Sequence, residues 1–105
     1  MTNFLEKLEG IIRARKRQLD HKSYTAHLFT AGEDEIIKKV GEESVEVMLA
    51  AKGQSSERLV AEVADLVYHT LVLLVSQDVS LSDVESELKR RHVRLYPGEQ
   101  EGDAN

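Results

Sequence analysis

Two stretches, residues 33–52 (EDEIIKKVGEESVEVMLAAK) and residues 56–77 (SERLVAEVADLVYHTLVLLVSQ), decide the fold of this chain. Apolar residues recur in both at every third or fourth position, which is the repeat of an amphipathic α-helix. Gly53 is suited to ending the first helix, and Ser55 or Ser56 is suited to capping the second. We therefore predict two long helices joined by a short connection.

The segments around this pair extend the same pattern. Residues 71–75 (LVLLV) are apolar all round, which predicts burial at the centre of a bundle or at a subunit interface. Residues 3–19 form a predicted amphipathic helix with a basic end, and residues 82–92 a short one that begins with a capping box of Ser82 and Glu85. The sequence predicts an all-α bundle of four helices, with no helix assigned between the first and second.

Length and composition limit what the chain can be. Its 105 residues, 41% hydrophobic and 5% aromatic, suit one helical domain, predicted over residues 1–93 with a flexible acidic tail at 94–105. A net charge of −5 argues against a general nucleic-acid binder, and the absence of cysteine excludes disulfides and thiolate zinc sites. No uninterrupted apolar run approaches a membrane span, so we expect a soluble, cytoplasmic protein. A chain this small that also places carboxylates in a cleft is a candidate for oligomerisation, because a partner subunit would complete its core.

Five carboxylates stand out on the two long helices. Glu42, Glu43 and Glu46 share one side of the first, and Glu62 and Asp65 share one side of the second, at ~100° of rotation per residue. Both groups border apolar residues, where crowded carboxylates need protonation, a paired charge or a bound cation. Hard oxygen ligands favour Mg²⁺, or Mn²⁺ as a substitute, whereas a di-iron site would require Glu-x-x-His pairs that the sequence lacks.

Several neighbouring residues have both a structural and a functional interpretation. Lys38 and Lys39 precede the acids by one turn, where they would bind phosphate oxygens beside a metal. His69 either orients a metal-binding carboxylate without touching the metal itself or is an ordinary half-buried histidine. Tyr24 and Thr25 either contact ribose or phosphate oxygens or simply cap and pack a loop. A lone helical glutamate is usually a solvated surface residue, so the metal-site prediction depends on all five acids together.

Three segments resemble one family: residues 23–29 (SYTAHLF), residues 32–46 (GEDEIIKKVGEESVE) and residues 57–69 (ERLVAEVADLVYH). Together they look like phosphoribosyl-ATP pyrophosphatase of histidine biosynthesis. The spaced acids alone are shared with the wider all-α NTP pyrophosphohydrolase (MazG-like) superfamily. The resemblance implies a MazG-like helical bundle completed as a homodimer with intermingled helices. Because the fused cyclohydrolases of some relatives use zinc-binding cysteines, the chain resembles the stand-alone form.

The resemblance also implies a reaction, the magnesium-dependent hydrolysis of 1-(5-phosphoribosyl)-ATP to 1-(5-phosphoribosyl)-AMP and pyrophosphate. The implied metal ligands are Glu42, Glu43, Glu46, Glu62 and Asp65. The implied substrate contacts are Lys38, Lys39, Lys52, Tyr24 and Thr25. Glu43 or Glu46 would be the base, and the choice stays open. Two alternatives also stay open: a house-cleaning pyrophosphohydrolase acting on ordinary or damaged nucleotides, and a non-enzymatic helical dimerisation module.

Overall fold

The structure, a computed structural model, describes residues 3–53, 55–95 and 98. It contains the helices α1 (Phe4–Arg17), α2 (Tyr24–Ala31), α3 (Glu33–Gly53), α4 (Ser56–Ser76) and α5 (Leu81–Leu95). Those residues include no β-strand, so the all-α prediction is confirmed. Helix α5 continues into the segment predicted as a flexible tail, and the rest of that segment, apart from Gly98, lies outside the described residues.

Helix α2 is an addition to the four predicted helices. Ser23 caps it by accepting a hydrogen bond from the Ala26 N–H, and Leu28 anchors it in the core. Gly32 ends it at a φ of +106°, a conformation that glycine adopts without strain, and α3 begins at the next residue. The helix has only 8 residues, little more than two turns, so the apolar repeat is too short to predict it.

Of the two candidate caps predicted for α4, Ser55 and Ser56, the structure uses Ser55, whereas the predicted cap of α5 is wrong. Ser55 accepts a hydrogen bond from the Arg58 N–H. At the start of α5 the reciprocal pair is Ser80 and Asp83, in which each side chain accepts the backbone N–H of the other at 3.0 Å. The capping box lies two residues before the predicted one because α5 begins at Leu81.

The core is built around α4. Helix α3 packs along it, α1 also packs on α4, and α2 packs on α3 and contacts α1. The buried apolar cluster consists of Ile12, Leu28, Ile36, Leu71, Val72 and Val75. Half of these residues lie within the all-apolar segment 71–75, as the sequence predicted, and none lies on α5. The core therefore joins α1, α2 and α3 to the second half of α4.

Polar contacts tie α1 to the junction between α4 and α5. The Lys16 Nζ donates to the Val75 carbonyl at 3.1 Å and to the Asp78 carboxylate at 3.3 Å. Glu9 is buried, and its carboxylate accepts the Leu81 N–H at 2.8 Å. These contacts give the Val75 carbonyl at the end of α4 a second donor and satisfy the Leu81 N–H at the start of α5.

Helix α4 has one property that was not predicted from the sequence. Its 21 residues are long and apolar enough to cross a membrane by length and composition alone. The central helix of a globular protein passes the same test, because it too must be apolar on several sides. Leu71, Val72 and Val75 of α4 are buried against the other helices, as in such a core.

Candidate active site

The two acidic faces predicted from the sequence meet where α3 packs on α4. Glu43 of α3 and Glu62 and Asp65 of α4 each place one carboxylate oxygen within 4.8 Å of the other two. Glu62 is buried with 3% of its surface exposed, Glu43 is half-buried, and Asp65 is exposed. We call these three residues the carboxylate cluster. It has one side in the protein interior and one side open to solvent.

Two cations offset the repulsion within the carboxylate cluster. The Lys39 Nζ lies 3.9 Å from the Glu43 carboxylate and 3.7 Å from that of Glu42. The Arg58 guanidinium forms an ion pair with Glu62, one turn further along α4. Three carboxylates thus face two positive charges, which leaves the cluster with an unbalanced negative charge.

The carboxylate cluster fits a hard divalent cation. Mg²⁺ binds oxygen at about 2.1 Å, so two of its ligands lie up to about 4.2 Å apart. The three carboxylate oxygens already lie within 4.8 Å of one another, so small side-chain rotations bring them into range. A donor set made only of carboxylates suits Mg²⁺ or Mn²⁺ and is a poor match for zinc or copper.

The structure does not bring every predicted site residue into the cluster. Glu42 and Glu46 are exposed and lie outside the group of three, although Glu46 follows Glu43 by one turn of α3. Lys38 is exposed on the same helix. Lys52 is also exposed, and it lies about 14 Å from Glu43 along the helix axis at ~1.5 Å per residue. These four residues lie outside the cluster.

Tyr24 and Thr25 lie in the first turn of α2 and fasten it to α4. The Tyr24 hydroxyl is 2.8 Å from the Nε2 of His69, and the Thr25 hydroxyl is hydrogen-bonded to the hydroxyl of Tyr68. Two consecutive residues of α2 therefore bond two consecutive residues of α4, immediately after the turn that carries Asp65. This double contact fixes α2 beside the carboxylate cluster.

His69 is buried, and both ring nitrogens have partners. Nδ1 lies 2.8 Å from the backbone carbonyl of Asp65, one turn earlier in α4. A carbonyl oxygen only accepts, so Nδ1 carries the donated proton, and in the neutral ring Nε2 accepts the Tyr24 hydroxyl proton. The ring thus contacts the backbone of Asp65 rather than a carboxylate. His69 connects Tyr24 to the turn that carries a cluster residue.

The charges that act on the Tyr24 hydroxyl include those of two cluster residues and Lys39. Partial burial raises the pKa of Tyr24 above its usual value of 10.0. The charge of Lys39 opposes this increase in the pKa, and the negative charges of Glu43 and Asp65 add to it. Tyr24 therefore stays protonated at neutral pH. With its proton directed to His69, its oxygen is left to accept a hydrogen bond from a bound molecule.

Comparison with known proteins assigns this arrangement to a family. The family described as "Phosphoribosyl-ATP pyrophosphohydrolase" matches residues 5–92, a range that includes every residue of the carboxylate cluster. The chain belongs to this family. The phosphoribosyl-ATP pyrophosphohydrolase match also covers α2 and all of α3 and α4.

Individual relatives support the family assignment, two of them over almost their whole length. The chain is 49% identical over 89 residues to "Phosphoribosyl-ATP pyrophosphatase" of Leptospira biflexa, covering 85% of this chain and 97% of the relative. It is 50% identical over 91 residues to the protein of the same name from Metallosphaera sedula, covering 87% and 98%. It is also 52% identical over 89 residues to "Histidine biosynthesis bifunctional protein HisIE" of Campylobacter jejuni, covering 85% of this chain and 43% of that longer protein.

Two residues that contact the site were not identified from the sequence. Arg58 precedes Glu62 by four positions, the spacing of a helical ion pair, so a search for charge partners of the acids finds it. Tyr68 gives no such signal, because its bond to Thr25 joins residues 43 positions apart. Only the packing of α2 on α4 shows that contact.

Proposed function

We propose that this protein is a magnesium-dependent phosphoribosyl-ATP pyrophosphatase of histidine biosynthesis. It hydrolyses the α–β phosphoanhydride of 1-(5-phosphoribosyl)-ATP and releases 1-(5-phosphoribosyl)-AMP and pyrophosphate. The observation that carries the proposal is the carboxylate cluster of Glu43, Glu62 and Asp65, within a chain that belongs to this family. Relatives bearing the name of this enzyme cover most of the chain.

The carboxylate cluster would hold Mg²⁺, with Mn²⁺ as a substitute. When bound, such an ion neutralises phosphate charge and makes a coordinated water more acidic. Glu43 or Glu46 would accept the proton of the attacking water, since the two lie one turn apart on the same face of α3. Glu42 and Glu46 would turn toward the cluster and complete the ligand set only when the nucleotide is bound together with the metal.

The residues around the cluster suit a phosphorylated nucleotide. Lys39 already lies at the cluster and would bind a phosphate oxygen, as would Lys38 and Lys52 at greater distance. Tyr24 is 53% exposed and would accept a hydrogen bond from the nucleotide. Thr25 is buried and bonded to Tyr68, so we assign it the role of holding α2 in place.

We further propose that the protein is a homodimer in the cytoplasm. The apolar faces of α3 and α4 are only partly covered within one chain. Large exposed apolar side chains on these helices are Ile37, Val45, Met48, Leu49, Val60, Val63 and Val67. Monomeric proteins rarely leave so many neighbouring apolar residues in contact with water, and a second copy of the chain would cover them.

The decisive experiment measures pyrophosphate release from phosphoribosyl-ATP made in situ, with and without Mg²⁺, beside ordinary NTPs and dNTPs. Selective, Mg²⁺-dependent turnover of phosphoribosyl-ATP is expected. Turnover of an ordinary nucleotide instead would favour a house-cleaning enzyme. No turnover of any substrate, together with no Mg²⁺-dependent rise in Tm, would favour a helical dimerisation module, because a ligand that binds the native state raises Tm.

A further inference from the structure

Arg58 contacts the most deeply buried member of the carboxylate cluster. It lies in the first turn of α4, and its guanidinium pairs with Glu62 one turn later. The Glu62 side chain is 5% exposed, whereas the Arg58 side chain is 53% exposed. An ionised carboxylate that deep in a protein requires a counter-charge, and Arg58 supplies one.

A bound divalent cation would supply the same counter-charge to the same carboxylate. Glu62 is both the partner of Arg58 and a member of the only metal-compatible group among the described residues. The divalent cation and the Arg58 guanidinium repel each other at this short distance, so a cation at the cluster weakens the ion pair between Arg58 and Glu62. The Arg58 side chain is free to leave, because half of it is already in solvent.

We propose that Arg58 is a displaceable counter-ion of the metal site. In the metal-free protein it neutralises Glu62. When the cluster binds its divalent cation, the ion pair between Arg58 and Glu62 breaks, and Arg58 binds a phosphate oxygen of the nucleotide. This inference rests on the proposed function, since it takes the carboxylate cluster as the metal site. It adds Arg58 to the substrate-binding residues and makes it a competitor of the metal.

The chemistry of the guanidinium supports the second half of this role. Arginine presents a planar set of N–H donors that matches two phosphate oxygens as well as it matches a carboxylate. Arg58 starts from an ion pair with a cluster residue, so its displaced guanidinium remains one side-chain length from the metal site.

The test begins with Mg²⁺ alone, measured by calorimetry and by the rise in Tm. Removing one positive charge beside the site in Arg58→Gln should tighten Mg²⁺ binding by about tenfold. Arg58→Lys keeps the charge and should stay within about threefold of the unmodified protein. The matched control is Arg91→Gln, which removes the same charge from an exposed pair with Glu87 on α5 and should leave Mg²⁺ affinity unchanged.

The second measurement uses phosphoribosyl-ATP at saturating Mg²⁺. Arg58→Gln should raise KM by about tenfold, the loss expected for one charge-assisted hydrogen bond, and should change kcat much less. Tighter metal binding together with weaker substrate binding is a combination that a purely structural role does not produce, because a distorted site would weaken both.

Other outcomes overturn the inference separately from the proposed function. If the unmodified protein binds Mg²⁺ and Arg58→Gln binds it equally or more weakly, Arg58 does not compete with the metal. If KM is unchanged, Arg58 does not bind the substrate. If the unmodified protein binds no Mg²⁺, the metal site itself is refuted. Should Arg58→Gln be unfolded without metal, Mg²⁺ is expected to refold it, measured by circular dichroism, and failure to refold overturns the inference.

Discussion

The hydroxyl of Tyr24 lies 2.8 Å from the Nε2 of His69, and this bond joins α2 to α4 next to the carboxylate cluster. The opposite nitrogen of the same ring contacts the Asp65 carbonyl. The position of α2 is therefore coupled through one buried ring to the turn that carries a proposed metal ligand.

We expect a double-mutant cycle of Tyr24→Phe and His69→Leu to give a coupling free energy of about 1 kcal/mol in unfolding, the usual value for such a hydrogen bond. Tyr24→Phe alone should lower stability because it leaves a buried ring nitrogen without its partner. Chemical denaturation of the four proteins measures the coupling. Additive effects of the two changes would show that the bond contributes nothing.

Variants of the predicted metal ligands should fall into two groups by their Mg²⁺-dependent rise in Tm, measured in the absence of substrate. Glu43→Gln and Asp65→Asn should lose most of the Mg²⁺-dependent rise in Tm and lower turnover at least about 100-fold, because both residues are in the cluster. Glu46→Gln should keep most of the rise in Tm and lose turnover, because Glu46 is exposed outside the cluster. Glu85→Gln, an exposed acid on α5, is the control for the change in charge. Equal loss of the Tm rise in all three site variants would instead favour a single, larger ligand set.

Two adjacent isoleucines of α1 allow a matched test of the core. Ile12 is fully buried, whereas Ile11 is 43% exposed. Ile12→Ala should lower the free energy of unfolding by about 2–4 kcal/mol, since it removes buried methyl groups and leaves a cavity. Ile11→Ala should cost clearly less. Urea unfolding of both variants checks the difference, and similar losses would contradict the position of α1 on α4.

If the chain forms a homodimer through its exposed apolar face, a charged residue introduced on that face should convert the dimer into a monomer. Met48 is 59% exposed in the single chain, so Met48→Lys should be tolerated by the fold and should disrupt a dimer formed through α3. Size-exclusion chromatography with light scattering should give the mass of a dimer for the unmodified protein and of a monomer for the variant. Ser82→Lys, an equal charge change at an exposed position of α5, should remain dimeric. A monomeric unmodified protein would refute the proposal.

Helix α5 should lose stability in acid. Hydrogen bonds from Arg90, which has the larger effect, and from Arg91 lower the pKa of Glu87 from 4.5 to about 2. Because the pKa is lower in the folded protein, the contribution of Glu87 to stability is complete above pH 4.5 and is lost as the pH falls toward about 2. The carboxyl titration of Glu87 followed by NMR should show the low midpoint, and added salt should move it toward 4.5, since the pair is exposed. A midpoint near 4.5 at low salt would show that the ion pairs do not form in solution.

The long helices were predictable because each is determined by local spacing over about twenty residues. Helices α3 and α4 follow from the apolar repeat, and the cap of α4 is Ser55, one of the two candidates that the sequence offered. Helix α2 was not predicted, since 8 residues are too few for periodicity and its stability depends on contacts with α4. The cap of α5 was misplaced because Ser80 with Asp83 and Ser82 with Glu85 have the same sequence pattern.

The sequence by itself determined the helical class, the family resemblance and the two acidic faces, because helical periodicity places residues three and four apart on one side wherever the helix lies. Only the tertiary structure decided which acids meet. Packing of α3 on α4 brings Glu43 to Glu62 and Asp65 and leaves Glu42 and Glu46 exposed. It also decided that Tyr24 bonds His69, since that contact joins residues 45 positions apart. Local spacing fixes a side chain's direction relative to its own helix axis, whereas its partners depend on how the helices pack.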